Sequence, residues 1–306
     1  MLQTTTDRSK TRQAIAAGVL AAACWGLGTV FTKGLLAYIP PLPLLTAQLG
    51  ASVIVLWAVI AIRQQLPPRQ WQVWRLGFSG ILEPGLSYIL GVTGLSMTTA
   101  SSATLIGIIE PCLIVVLAAW WLGERVSRPM IGAIGLALIG SILMIGLDAS
   151  SNGSLTGNLL IGLGTFCAAS YVILTRQFVF ALQPLPLTAL QQTFGLVVIL
   201  LFWLLIDSSS HFVTSLQPFI WLEVILSGIV KYTLPFWLYL TALQYIQAST
   251  TSLLLTLIPL FGVSGGYLFL QEQLTLTQWI GAAITLIGVC WLPRLQSQPR
   301  SETLLH

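Results

Sequence analysis

The sequence predicts an all-α integral membrane protein, with ten transmembrane helices arranged as two inverted five-helix repeats. Composition is the first reason: 7% of the 306 residues are charged against 56% hydrophobic, and the mean hydropathy of +0.88 is far above that of an ordinary soluble domain. Segmentation is the second. Ten apolar segments, 14–36, 43–62, 75–96, 100–122, 129–147, 158–180, 185–206, 219–240, 250–270 and 276–292, approach the roughly 20 residues that cross a bilayer as a helix. Internal repetition is the third. Pro41-Leu42-Pro43-Leu44 recurs as Pro184-Leu185-Pro186-Leu187, 143 positions on (41 to 184), and the same offset relates Cys24 to Cys167, Thr32 to Thr175, Lys33 to Arg176 and Gln48 to Gln191. Farther along, Ala100-Ser101 returns as Ala248-Ser249, Pro111 as Pro259 and Glu124 as Glu272, now 148 positions on (111 to 259). The polar stretch from Asp207 to Gln217 accommodates the five extra residues.

Five crossings are an odd number, so the second copy is expected upside down relative to the first. Residues 1–150 form one repeat with segments 1–5, and residues 151–306 the other with segments 6–10, the two making one integrated unit. Inverted repeats of this kind build secondary transporters whose substrate site lies near the midplane between the halves.

Segment 1 is too long for the apolar core of a cleavable signal peptide and is followed by no convincing small-residue cleavage site, so it is expected to remain as a helix. The four cysteines, Cys24, Cys112, Cys167 and Cys290, all fall inside segments. They read as small buried apolar residues, with neither metal-ligand spacing nor a disulfide framework. Orientation follows from the basic residues. With the N-terminus inside, Arg8, Lys10, Arg12, Arg63, Arg69, Arg75, Arg125, Arg128, Arg176, Arg294 and Arg300 all fall on the cytoplasmic side, eleven of the 13. Lys33 and Lys231 are the other two, both within helices. Both termini are therefore expected in the cytoplasm, in an inner or plasma membrane. The net charge of +4 reflects this topology and implies no nucleic-acid surface.

Loops between the segments are short, which leaves no room for a soluble domain. There is no phosphate-binding G-x-x-x-x-G-K-[ST] loop. Gly85-Leu86-Ser87-Tyr88 superficially resembles an intramembrane serine protease motif, but such a serine needs a base within reach. His211 and His306 lie in a loop and at the tail, as Asp7, Asp148 and Asp207 lie in tails or loops. No catalytic set, cofactor site or metal site can be assembled, so an enzyme is not expected.

Charge inside the segments is therefore informative. Glu83 in segment 3, Glu110 in segment 4 and Lys231 in segment 8 each cost ~2.5 to 3.5 kcal/mol to insert on translocon scales, so such residues face a cavity or a partner. At the offset of 148, Glu83 aligns with Lys231 (83 to 231) and Glu110 with Ile258 (110 to 258). Glu83 and Lys231 either meet a polar substrate, or form a static ion pair fixing helices 3 and 8, or never meet. Glu110, without a charged counterpart, is the candidate proton carrier for coupling.

Prolines accompany these charges: Pro84, Pro111, Pro235 and Pro259. A proline within a helix frees the carbonyl four residues earlier, and in a bilayer that group must be satisfied by a neighbour or by water in a cavity. Segments 3, 4, 8 and 9 are thus expected to line a cavity, with the four prolines as hinges or as plain packing kinks. Trp25, Tyr88, Tyr171, Trp237 and Tyr239 are placed to offer stacking surface, and Thr104, Ser252 and Thr256 hydroxyls. Lys33 and Arg176 read as snorkelling or helix-terminal cations, and Glu124 with Glu272 as a repeated structural turn. Gly132, Gly135 and Gly140 in segment 5, with Gly281 and Gly288 in segment 10, read as close-packing faces.

These features together resemble the drug/metabolite transporter superfamily, in its ten-helix form with two EamA-type repeats. The resemblance is carried by Trp25-Gly26 through Lys33 in helix 1 and by the run Ala103 to Glu124, where Glu110-Pro111 and Leu122-Gly123-Glu124 are similar to the family's EP and LGE signatures. The second copy departs from them with Ile258-Pro259 and Leu270-Gln271-Glu272, and Ala168 stands at the position of Trp25. The resemblance implies inverted five-helix repeats around a cavity lined by helices 1, 3, 4, 6, 8 and 9. It also implies transport of amino acids or other small metabolites, often outward. The expected function is a secondary transporter working by alternating access in the lipid bilayer, with a small-molecule substrate and protons as a candidate coupling ion. The alternatives are a proton-coupled or exchanging carrier of anionic metabolites and a scaffold or accessory subunit that transports nothing.

Overall fold

The computed structural model describes residues 2–97, 106–145, 154–206, 217–270 and 276–290. Among these, every regular element is a helix. Six helical stretches are long and apolar enough to cross a membrane: Lys10–Thr32, Pro41–Ile62, Leu155–Phe178, Pro184–Leu205, Pro218–Tyr245 and Ala248–Phe269. Glu110–Trp121, Arg128–Leu143 and Trp279–Val289 are shorter apolar helices. Large apolar side chains also cover the outside, with Leu205 84%, Ile62 82% and Trp120 79% exposed. Helices apolar on every side are suited to lipid, where outward leucines replace the polar face of a soluble helix.

Four segments are interrupted, in matching pairs. Segment 3 runs as Trp71–Trp74, a tighter 3-10 stretch Arg75–Ile81, a wide π turn Leu82–Leu86 and Ser87–Met97. Segment 8 runs as Pro218–Gly228, a π turn Ile229–Thr233 and Leu234–Tyr245. In segment 4 a turn at 108–109 precedes the helix Glu110–Trp121, and in segment 9 a break at 256–257 separates Ala248–Leu255 from Ile258–Leu270. Both restarts place proline second, at Pro111 and Pro259, where the missing N–H costs little. The bends expected at the prolines are full interruptions: the chain unwinds beside each of Pro84, Pro111, Pro235 and Pro259.

Segment 1 packs against segments 8 and 9, segment 2 against segment 7, and segment 3 against segments 6 and 7. Segments 5 and 10 form an outlying pair, with Gly140 against the Gly281 carbonyl and Gly288 against the Ala133 carbonyl. Gly132 and Gly135 meet nothing within 4 Å, so the close-packing expectation fails for those two.

Two buried glutamines join the halves. Gln48 donates to Thr32 Oγ1 at 3.1 Å and to Ser227 Oγ at 2.8 Å. Gln191 donates to Thr175 Oγ1 at 3.0 Å and to Ser79 Oγ at 2.8 Å. All three members of the first set map onto the second at the repeat offsets. Beside each serine a glycine admits the opposing backbone: a Cβ on Gly80 would run into the Gln191 carbonyl oxygen, and one on Gly228 into that of Gln48. Glu124, expected to be structural, is a third tie. Gly123 turns the chain at φ +64°, a conformation suited to glycine. The Glu124 carboxylate then accepts from Ala248 N at 2.9 Å, Ser249 N at 3.0 Å and Ser249 Oγ at 2.7 Å, capping the helix Ala248–Leu255 where its free N–H groups favour an anion.

Candidate functional site

The π turns carry the charges. Glu83 leaves helical geometry altogether (φ −145°, ψ 126°), and Lys231 is the central residue of Ile229–Thr233. At Lys231 the π turn widens the helix by one residue, whereas at Glu83 the helix breaks at a kink, and each presents a side chain that a regular helix would direct elsewhere. The polar groups exposed by unwinding segment 8 find partners. Gln192 Nε2 donates to the Tyr232 carbonyl at 2.8 Å, and Ser52 Oγ bridges Gln192 Oε1 at 2.5 Å and Thr233 Oγ1 at 2.7 Å. At the equivalent place in segment 3, Gly195 packs against Pro84 and the Gly80 carbonyl.

Between these turns lies a cavity of about 240 Å³, lined by Trp25, Thr29, Glu83, Tyr88, Glu110, Tyr171, Val172, Lys231, Tyr239, Leu255 and Ile258. They come from segments 1, 3, 4, 6, 8 and 9, the set the resemblance implies. A second cavity, about 290 Å³, continues over Glu83, Tyr88 and Glu110 towards Ile161, Gly164 and Ala168. A third, about 200 Å³, runs over Glu110, Pro111, Leu255, Thr256, Ile258 and Pro259. Glu110 lines all three.

Aromatic rings frame one side. Trp25 stands edge-on to Phe236 at 5.3 Å and to Tyr239 at 5.5 Å between centroids, and Tyr88 meets Tyr232 at 5.5 Å. The Tyr171 hydroxyl donates to Gln191 Oε1 at 3.0 Å, which fixes the ring at the cavity wall. Glu83 and Lys231 face the same cavity, yet among the described residues no ion pair joins them. The Lys231 ammonium instead lies 5.8 Å from the centroid of the Tyr232 ring.

Seven of the residues singled out in the sequence thus meet: Trp25, Glu83, Tyr88, Glu110, Tyr171, Lys231 and Tyr239. Trp237 does not join them. It packs on the cluster of Leu56, Ile60, Leu185 and Ala189, with the Arg63 guanidinium 5.7 Å from its ring, because a helix turn points it to the opposite side from Tyr239. Thr256 lines the 200 Å³ cavity but spends its hydroxyl proton on the Leu253 carbonyl at 2.6 Å. Pro235 is buried one turn beyond Lys231, and Pro84 is buried in its π turn. Thr104 lies outside the described residues. Arg176, read as a terminal cation, donates to the Leu243 carbonyl at the end of segment 8. Sequence reasoning did not foresee Thr29, Val172 and Leu255 in the wall, or the roles of Gln48, Gln191 and Gln192. Gln48 and Gln191 did leave a signal, since an uncharged polar residue returning at the repeat offset inside an apolar segment needs a partner there.

A model of the EamA-like transporter family matches the chain twice, over residues 12–146 and 155–293. The chain belongs to that family. It is similar to an uncharacterized transporter of Synechocystis sp., 26% identical and covering 92% of this chain and 91% of the relative. Protein PecM of Dickeya dadantii is 26% identical, with coverage of 82% of each chain. The uncharacterized inner membrane transporter YicL of Salmonella typhimurium is 28% identical over 73% of this chain and 72% of its own. A solved structure superposes with a TM-score of 0.77 at 18% identity, over 93% of this chain and 97% of the other, and shows the shared fold. This member of the EamA-like family is therefore a multi-pass membrane transporter, acting on a small molecule from within lipid.

Proposed function

We propose that the protein is a secondary transporter that moves a small organic solute, an amino acid or another metabolite, by alternating access through the cavity between its halves. Ten membrane helices, as two inverted five-helix repeats spanning 1–150 and 151–306, provide the two arrangements. Both termini lie in the cytoplasm of an inner or plasma membrane, and the solute leaves the cell. The twofold match to one family model supports the repeat, as do the paired glutamine contacts and paired helix breaks. The placement of basic residues supports the orientation, and the resemblance supports the outward direction.

The observation that carries the reading is the convergence of Glu83, Glu110 and Lys231 with Trp25, Tyr88 and Tyr171 around one cavity. Charges are costly at this depth, and here they face space instead of pairing. A scaffold has no use for that arrangement. The hinges are Pro84, Pro111, Pro235 and Pro259, each beside a break or a wide turn. Proton coupling through Glu110 is favoured by its place at the junction of the three cavities.

Reconstituted proteoliposomes test both levels. A panel of amino acids and central metabolites is offered with and without a pH gradient, beside Glu110→Gln. Expected is flux of at least one solute that follows the gradient and is lost in the variant. Flux that ignores the gradient and survives Glu110→Gln removes the coupling role. Absence of flux for every solute counts against the transport assignment of the cavity.

A further inference from the structure

The two glutamine contacts differ in one atom. On the Gln191 side the amide oxygen accepts the Tyr171 hydroxyl at 3.0 Å. On the Gln48 side Oε1 is buried and, among the described residues, has no hydrogen-bond partner. Rotating the amide does not remedy this. Ser227 Oγ donates to the Val224 carbonyl at 2.9 Å, and Thr32 Oγ1 to the Gly28 carbonyl at 2.8 Å. Each hydroxyl has thereby used its single proton and meets Gln48 as an acceptor, so the NH₂ must face them and the oxygen must look elsewhere.

The repeat identifies what belongs at that oxygen. The counterpart of Tyr171 in the first half is Gly28, 143 positions earlier (171 to 28). The space a side chain would take there is filled by Lys231: a Cβ on Gly28 would lie 2.8 Å from Lys231 Cβ and 3.2 Å from its Cγ. Lys231 also stands one turn beyond Ser227, and Gly228 between them abuts the Gln48 backbone. A lysine stem is flexible and carries three donors. Its ammonium currently looks into the cavity, near the Tyr232 ring.

We infer that Gln48 is a positioning residue for Lys231, whose ammonium alternates between two acceptors. Turned to the cavity, as here, it meets a carboxylate or another anionic group of a solute; turned back, it donates to Gln48 Oε1. The inference rests on the reading of this cavity as the transport site. An anionic group replaces the Gln48 bond, whereas a neutral solute leaves Lys231 where it is, so the exchange selects by charge. Because the same Gln48 amide holds Ser227, movement of Lys231 is felt where the halves cross.

The test uses the full chain purified in detergent and needs no transported solute. The sequence has three lysines, Lys10, Lys33 and Lys231, so acetylation by acetic anhydride can be followed site by site by mass spectrometry, with exposed Lys10 as reference. Gln48→Met is expected to raise Lys231 labelling about tenfold, the scale of a lost hydrogen bond to a charged group, while Gln191→Met leaves it unchanged. Gln48→Glu, which keeps the shape and adds a counter-charge, is expected to lower it and keeps the inference testable where Gln48→Met does not fold. Acetate, as a probe carboxylate, is expected to protect Lys231 saturably in the wild type and not in Gln48→Glu. Equal labelling in wild type and Gln48→Met overturns the inference, as does an equal rise in both Met variants or no protection by Gln48→Glu. A bound water serving Oε1 would produce the first of these results, since Lys231 labelling then ignores Gln48. Acetate protection that is absent or equal in both proteins overturns the anionic class. Vesicles without flux would sink the transport reading and leave the labelling result standing.

Discussion

Gln48 and Gln191 each donate to a threonine 16 residues earlier and to a serine of the other half. The residues around the cavity match at no such level: Glu83 faces Lys231 across the repeat, Glu110 has Ile258, Trp25 has Ala168 and Tyr171 has Gly28. Physical demands explain the difference. Where helices cross inside a bilayer, both halves face one problem, a buried polar group that must be satisfied, and one solution serves twice. A cavity that receives a solute without two-fold symmetry gains nothing from repeating its wall. A strict repeat at the π turns would moreover place like charges on both sides of a low-dielectric space.

Backbone approach at the crossings should give the largest effect when disturbed. Gly80→Val forces side-chain atoms into the Gln191 carbonyl, and is expected to yield no monodisperse protein on size exclusion; a well-folded variant would break the claim that this contact holds the halves. Next come the unmatched charges. Lys231→Met and Glu83→Gln should fold with wild-type melting temperatures yet lose about tenfold or more in vesicle flux, the scale of one charged hydrogen bond. Full transport by both would remove them from the mechanism.

A smaller effect sharpens the comparison of the glutamines. Gln191→Leu should lower stability by ~2–4 kcal/mol, and with acetate present, when the Lys231 ammonium has left Gln48 Oε1, Gln48→Leu should cost about 1 kcal/mol less, the share of the Tyr171 bond that only Gln191 makes. Thermal melts of the two variants in one detergent measure the gap, and equal losses would show that Tyr171 adds nothing to the Gln191 site. Glu124→Gln weakens a carboxylate cap and should cost ~1 kcal/mol. Least is expected at Trp237, which packs away from the cavity: Trp237→Phe should transport as the wild type does, and a deficit in flux alone would return it to the solute path.

Cavity membership was legible in residues whose presence in a bilayer needs a reason. Glu83, Glu110 and Lys231 stood out for their insertion cost, and their prolines marked where the helices unwind. Trp237 was misplaced because an aromatic ring has no such cost in lipid, so its type does not say which side of a helix it occupies. Val172 and Leu255 were overlooked for the same reason. Glu124 with Ala248-Ser249 was visible as a recurrence, but the bond between them links segments 4 and 9, which no local pattern relates.

The sequence by itself determined the solvent of the fold, the ten apolar segments, the repeat and the family, since all of these follow from composition and periodic recurrence along the chain. Only the tertiary structure decided which polar groups meet: that Gln48 reaches Ser227, that Glu83 and Lys231 share a cavity without pairing, and that Gly28 makes room for the lysine stem. Such contacts depend on the rotation of each helix about its axis and on the depth at which two helices cross. In a chain apolar on all sides, the pattern of residues leaves both quantities open until the helices pack.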